Sequence, residues 1–210
     1  NTAGSLPKWY RDNLFADAKA IEASGGPDAY QSMMEGVEAI APGSDGLVTL
    51  PYFAGERTPV NDPDARGILF GLTLAHTRAH MYRSALEGIG YSVAQQISIM
   101  RSHKNVPIDR IIAVGGGTQN PVWMQIIADI LGTPVSTPAV TVGASYGDAL
   151  MAALAIRYPG FENYSMLTNF IQDGITYQPD MKKHRQYEKY QEIYELLYPM
   201  TAQLMHGLSD

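Results

Sequence analysis

Ile111-Ile112-Ala113-Val114-Gly115-Gly116-Gly117-Thr118-Gln119-Asn120 is the stretch on which the fold turns. The apolar residues from Ile108 to Val114 read as a strand that runs into three glycines, a turn signal. Asn120 then stands where a helix cap belongs, with Pro121 at the first helical position, where a missing N–H is harmless. The apolar run to Leu131 closes on Gly132, a helix terminator. Strand, glycine turn and helix in this order predict a layered α/β domain.

The turn itself has two readings. Consecutive glycines let the backbone come close to a flat or anionic ligand, and the helix beside them offers unpaired N–H groups and a positive dipole end. Alternatively the glycines make a tight connection and Asn120 only caps. A Walker phosphate loop is excluded because no Lys-Ser or Lys-Thr follows, and the third glycine is misplaced for a dinucleotide fingerprint.

Outward from the turn, the remaining elements follow from hydrophobic period. A first helix is expected from Leu6 to Ala20, capped by Ser5, with Leu6, Tyr10, Leu14 and Ala18 inward. Pro27 opens a second, in which Tyr30, Met33, Met34, Val37 and Ile40 recur at helical spacing. Leu47–Leu50 reads as a short strand, and Gly55 to Gly67 as a long ordered loop crowded with turn formers. From Leu74 to Ser102 a long helix would span roughly 40 Å. Val135–Thr137 reads as a strand and Gly143–Ile156 as a small-residue helix. A last helix, Asp180 to about His206, turns Tyr187, Tyr190, Tyr194 and Leu197 to one side.

Composition narrows the function classes. The 210 residues carry 15 Lys+Arg against 21 Asp+Glu, a net charge of −6, which argues against a nucleic-acid binder built on positive charge. Without cysteine there are no disulfides, thiolate metal sites or cysteine nucleophiles. The longest apolar run, Ala149 to Ile156, is eight residues, short of the roughly 20 that span a bilayer. Lys8, Arg11 and Asp12 interrupt any signal-peptide core, so a cytoplasmic protein without membrane partners is expected. The opening Asn1-Thr2-Ala3-Gly4-Ser5 lacks an initiator methionine and reads as the interior of a longer chain.

Two further patterns carry chemistry on paper. Gly143-Ala144-Ser145-Tyr146-Gly147 fits the G-x-S-x-G nucleophile pattern, with Asp180 and His184 downstream in hydrolase order. However, Pro138 to Val142 separate the strand from the serine, and Gly143 and Gly147 fall on one helix face suited to close packing. His76 and His80 have the spacing of a metal pair but lack the glutamate of H-E-x-x-H, so a packing role is expected.

Taken together, the Gly55–Gly67 loop with Gly71-Leu72, the Ala85-Leu86-Glu87-Gly88 step, the Gly115–Asn120 turn with Trp123 and Gln125, and Gly143 to Ala149 resemble one family. That family is the FGGY carbohydrate kinases, with most likeness to the xylulokinase branch. The resemblance runs from Ala3-Gly4-Ser5 and Trp9-Tyr10-Arg11-Asp12 through nearly the whole chain, in order.

The resemblance implies a ribonuclease H-like, actin-type ATPase fold with helices packed on a mixed sheet. Residues 1–210 would form the C-terminal, nucleotide-binding domain, without its first strands and without the N-terminal sugar-binding domain. ATP with Mg²⁺ is the implied cofactor and a ketopentose, D-xylulose first, the acceptor. Gly116 and Asn120 would contact adenine and ribose, Gly115 and Gly117 would shape the turn, and Gly4 and Lys8 would flank the nucleotide. No catalytic or metal-ligating residue is assigned to this chain, and a homodimer is allowed. A non-catalytic nucleotide-binding module of actin-type half-fold and a serine hydrolase using Ser145 are the competing readings.

Overall fold

A computed structural model describes residues 2–104, 108, 110–140 and 143–208. Its first helix is two helices. α1 (Thr2–Asn13) begins before Ser5, which therefore lies inside it, and α2 (Ala16–Ala23) follows a break at Leu14–Phe15. The break arises where the amides of Leu14 and Phe15 both donate to the Tyr10 carbonyl, at 2.8 and 3.1 Å. The apolar stripe survives it: Leu6, Tyr10 and Ala18 are buried, and Leu14 packs beside them. α3 (Ala29–Met33) is short. Its cap is Asp28, whose carboxylate accepts from the Gln31 amide, and Gly36 at φ +77° lies in the turns that follow.

β1 (Val48–Leu50) pairs antiparallel with β2 (Ile68–Phe70), a strand that falls at the end of the expected loop. Behind them α4 (Arg78–Lys104) runs as the long helix, starting at Arg78 rather than Leu74. His80 holds the start: its Nδ1 accepts from the Thr77 amide at 3.1 Å and lies 2.8 Å from Thr77 Oγ1. His76 makes the same contact with Thr73, at 2.8 Å. Each histidine thus holds the backbone three residues before it through its ring. β1 lies against α4 at Gly88, where a Cβ would stand 2.3 Å from the Thr49 carbonyl oxygen.

The second sheet has the order β3-β4-β5 and is mixed. β3 (Ile111–Ile112) runs parallel to β4 (Val135–Pro138), while β5 (Asp173–Tyr177) pairs antiparallel on the other edge. α5 (Pro121–Leu131) packs on this sheet, on α4 and on α7 (Met181–His206), as the strand–turn–helix reading requires. α6 (Ala144–Ala155) buries only Leu150 among its residues. No described helix is long and apolar enough to cross a membrane.

Two hydrophobic clusters share α4 and α5. The first joins α1, α2 and α3 to Leu86, Trp123 and Val135. The second gathers β1, Tyr91, Ile130 and the Tyr187–Tyr194–Leu197 stripe of α7. Between the helices sits a buried charged hub. Glu87, fully buried, accepts from Arg83 Nε at 2.9 Å, Ser44 Oγ at 2.8 Å, the Gly43 amide at 3.2 Å and Tyr187 Oη at 3.0 Å. Arg83 also donates to the Val37 carbonyl at 2.8 Å, so one ion pair ties α4 to the 37–44 segment and to α7. Burial pushes the Glu87 carboxyl up, and the adjacent guanidinium opposes that shift.

Candidate functional site

The glycine turn is built as its residues dictate. Gly115 takes φ +103°, a conformation that favours glycine, and Gly116–Gln119 wind as a 3-10 turn closed by Thr118, whose Oγ1 donates to the Gly115 carbonyl at 2.7 Å. A Cβ on Gly115 or Gly116 would meet open space, so the backbone there is approachable. Gly117 is different: a Cβ would stand 2.5 Å from the Trp123 ring. That ring is held in turn by its Nε1, which donates to the Leu86 carbonyl at 3.2 Å. Trp123 is thus the rigid floor of the turn.

Asn120 caps α5, its Oδ1 accepting from the Trp123 amide at 3.0 Å. Its Nδ2 donates to Met34 Sδ at 3.1 Å, which ties the turn to the end of α3. Met34 was legible only as part of a helical apolar period, and nothing local marks it as a neighbour of Asn120.

Gly115, Gly116, Gly117 and Asn120 thus belong to one turn, of which Gly115 and Gly116 are the open part. Gly4 and Lys8 stand apart on α1, four residues from each other, both exposed and opposite its buried Leu6 and Tyr10. The first core joins α1 to the turn, since Leu6 and Tyr10 share a cluster with Met33 and Trp123. A groove of about 520 Å³ lies elsewhere, among α4, the end of α5 and α7, lined in part by Ile97, Arg101, His184 and Gln191. It contains none of these site residues.

The Gly55–Gly67 loop is ordered by Asp62. Its carboxylate accepts from Tyr198 Oη at 2.8 Å, His206 Nε2 at 2.7 Å and the Asp64 amide at 2.9 Å. The His206 contact chiefly holds the Asp62 carboxyl below the usual carboxylate range, with Tyr198 and the Asp64 amide adding to it. The Glu56 and Asp62 backbones exchange hydrogen bonds, and a Cβ on Gly55 would meet the Pro63 carbonyl at 2.7 Å. Arg57 and Thr58 remain exposed at the tip.

One competing reading falls away and one expectation needs correction. The Ser145 hydrolase is not assembled, because Asp180 caps α7 by accepting from the Lys182 and Lys183 amides. His184 Nδ1 lies 3.0 Å from the Asp129 carbonyl oxygen, and Ser145 sits in α6 beyond the end of β4. The Gly143–Gly147 face does not pack closely either: a Cβ on each would meet open space. Gly143 is explained by its φ of +68°, and nothing in the structure explains Gly147. Among the described residues no three His, Asp or Glu side chains gather as a metal site.

Residues 1–156 match the model of the C-terminal domain of the FGGY family of carbohydrate kinases. Over 210 residues the chain is 31% identical to a gluconokinase of Bacillus subtilis, an alignment covering 100% of this chain and 39% of that protein. It is 32% identical over 210 residues to a xylulose kinase of Lactococcus lactis, covering 99% and 40%. Among solved structures, ligand-bound xylulose kinase from Lactobacillus acidophilus superposes with a TM-score of 0.81 at 27% identity, over 98% of this chain and 39% of that one. Gluconate kinase from the same organism gives 0.79 at 26% identity, again over 98% and 39%. The chain spans about two fifths of the length of these relatives. The likeness bears out the α/β, actin-type class expected from the sequence.

Proposed function

The chain belongs to the FGGY family of carbohydrate kinases, and on that premise we propose that it holds the nucleotide of a sugar kinase. In this reading ATP gives its γ-phosphate to a sugar hydroxyl, with D-xylulose the first choice of acceptor. Gluconate is the second, favoured by the Bacillus subtilis gluconokinase at 31% identity. The sugar and the base that takes its proton belong to the sugar-binding half of a longer protein, and we place the reaction in the cytoplasm.

The observation that carries the reading is the open backbone of Gly115 and Gly116 above the Trp123 floor. Two residues without side chains there would let adenine and ribose lie against the main chain, with Gly117 keeping the turn seated. Asn120 would contact the nucleoside, and Gly4 and Lys8 on α1 would flank it. Phosphoryl transfer depends on positioning and on neutralising charge that builds on the phosphate oxygens. Mg²⁺ supplies part of that charge in the proposed reaction. Among the described residues no three His, Asp or Glu side chains gather to hold it.

A domain that grips only the nucleoside can bind nucleotide and transfer nothing. Isothermal titration of the 210-residue chain with ADP is the direct test, with binding weaker than that of a complete two-sided clamp expected. Substituting Gly116 by valine should remove that binding while leaving the unfolding temperature nearly unchanged, because the new side chain would enter open space. Retained ADP affinity in the Gly116→Val variant would move the site away from the turn.

A further inference from the structure

We infer that the C-terminal half of α7 is the face through which two copies of this chain pair, with the row Leu196, Met200, Leu204 and Leu208 of one copy lying antiparallel against the same row of the second.

Residues four apart on a helix stack into one row. Followed along α7, this row begins with the exposed carboxylates Glu188 and Glu192 and then turns apolar: Leu196 is 57% exposed, Met200 75%, Leu204 72% and Leu208, in the turn that closes the helix, 74%. The whole helix changes character at that point. Its first half also exposes Lys182, Arg185, Lys189 and Glu195, whereas the ten residues from Leu196 to Met205 include no charge. The core takes other positions of this half, Leu197 and Met205, so the row is apolar without serving the interior.

Exposed to this degree, the four side chains leave roughly 500 Å² of apolar surface in one place, more than scattered surface residues do. Two such rows in contact would remove roughly 1,000 Å² from water, the lower bound for a specific interface. The chemistry of the row selects a second copy as its occupant. A two-fold contact sets a patch against itself, so a charged patch repels its own copy and an uncharged one does not. Antiparallel docking faces Leu196 with Leu208 and Met200 with Leu204, and it carries Glu188 and Glu192 past the end of the opposing row. Parallel docking would set each carboxylate against its own copy. A sugar-binding half of a longer chain suits the row less well, because it has to reach the nucleotide turn. Trp123 of that turn belongs to the first core, whereas the row flanks Leu197 and Met205 of the second.

The test is sedimentation equilibrium of the 210-residue chain and its variants, with cysteine cross-linking to read the arrangement. The wild type should show a monomer–dimer equilibrium with a dissociation constant of about 10–100 μM, the range of a small interface. Met200→Glu and Leu204→Glu should each raise that constant about 10-fold or more, because the new carboxylate would be buried without a partner. Ile175→Glu, a control on the exposed part of β5, should leave it unchanged. All three positions face solvent in the single chain, so the unfolding temperatures should stay close to that of the wild type. The chain has no cysteine, so introduced thiols react only with each other. In the antiparallel pair the two copies of Met200 stand about 6 Å apart along the helix axis and those of Leu196 about 18 Å, so oxidation should link Met200→Cys and not Leu196→Cys. A wild-type chain that stays monomeric at about 500 μM would overturn the inference and leave the row to another part of a longer protein. Dimers that ignore Leu204→Glu, or that Ile175→Glu dissolves equally, would overturn it as well. Equal cross-linking at both cysteine positions would refute the antiparallel arrangement.

Discussion

Glu87→Ala should be among the most damaging single substitutions in this chain, and the hub around it says why. The carboxylate is fully buried and receives four donors, from Arg83, Tyr187, Ser44 and the Gly43 amide. Its removal leaves the Arg83 guanidinium, itself 5% exposed, buried without its counter-charge. Breaking a buried pair from one side costs about 3–5 kcal/mol, against a total stability of about 5–15 kcal/mol for a typical protein. For a domain of this size each kcal/mol moves the melting temperature by about 2–4 °C, so a fall of roughly 6–20 °C is expected. The Val37–Ser44 segment should loosen with it, because Gly43 and Ser44 lose their acceptor while Val37 keeps an anchor that no longer has a counter-charge.

The assay is urea unfolding of wild type, Glu87→Ala, Glu87→Leu, Arg83→Met and the pair Arg83→Met/Glu87→Leu. Replacing both charges by apolar groups removes the buried ion together with its partner, so the double variant should be far less damaged than the sum of the singles. If Glu87→Ala lies within about 1 kcal/mol of wild type, the hub does not anchor the fold. Strict additivity in the double variant would refute the coupling.

Other outcomes follow from particular contacts. Gly88→Ala should cost about 1–3 kcal/mol in urea unfolding, because its Cβ would press on the Thr49 backbone oxygen, which a side-chain rotation cannot relieve. Asp62 holds its proton less tightly in the folded state than in the unfolded chain, owing first to His206. Its contribution to stability is therefore present above the ordinary carboxylate range and lost as pH falls through and below it. Asp62→Asn should flatten that acid-side slope in melting temperature against pH, and an unchanged slope would assign it to other carboxylates. The 210-residue chain should fail to phosphorylate D-xylulose in a coupled ADP-release assay, and turnover near that of a typical kinase would refute the division of labour proposed here.

The strand–turn–helix unit was legible in the sequence because its determinants are local. Glycine at φ +103°, asparagine at a cap and proline at a first helical position each express a backbone preference of a single residue. The long helices were legible for a related reason, since three- and four-residue spacing repeats often enough in α4 and α7 to outweigh uncertainty at their ends. β2 and β5 were not. Ile68–Phe70 and Asp173–Tyr177 carry little pattern of their own and become strands by pairing with β1 and β4, far away in the chain. The break between α1 and α2 leaves no mark in the sequence because the apolar stripe continues across it.

The site divides in the same way. Residue order determined that Gly115 and Gly116 could lie bare beside a capped helix, because turn and cap chemistry act within a few residues. Only the tertiary structure decided that Trp123 seats Gly117, that Met34 takes the free end of the Asn120 amide, and that Glu87 binds three segments at once. Those contacts join residues up to 100 positions apart, as Tyr187 and Glu87 are. A hydrogen bond depends on distance in space, and that distance is fixed only when the cores bring α3, α4, α5 and α7 together.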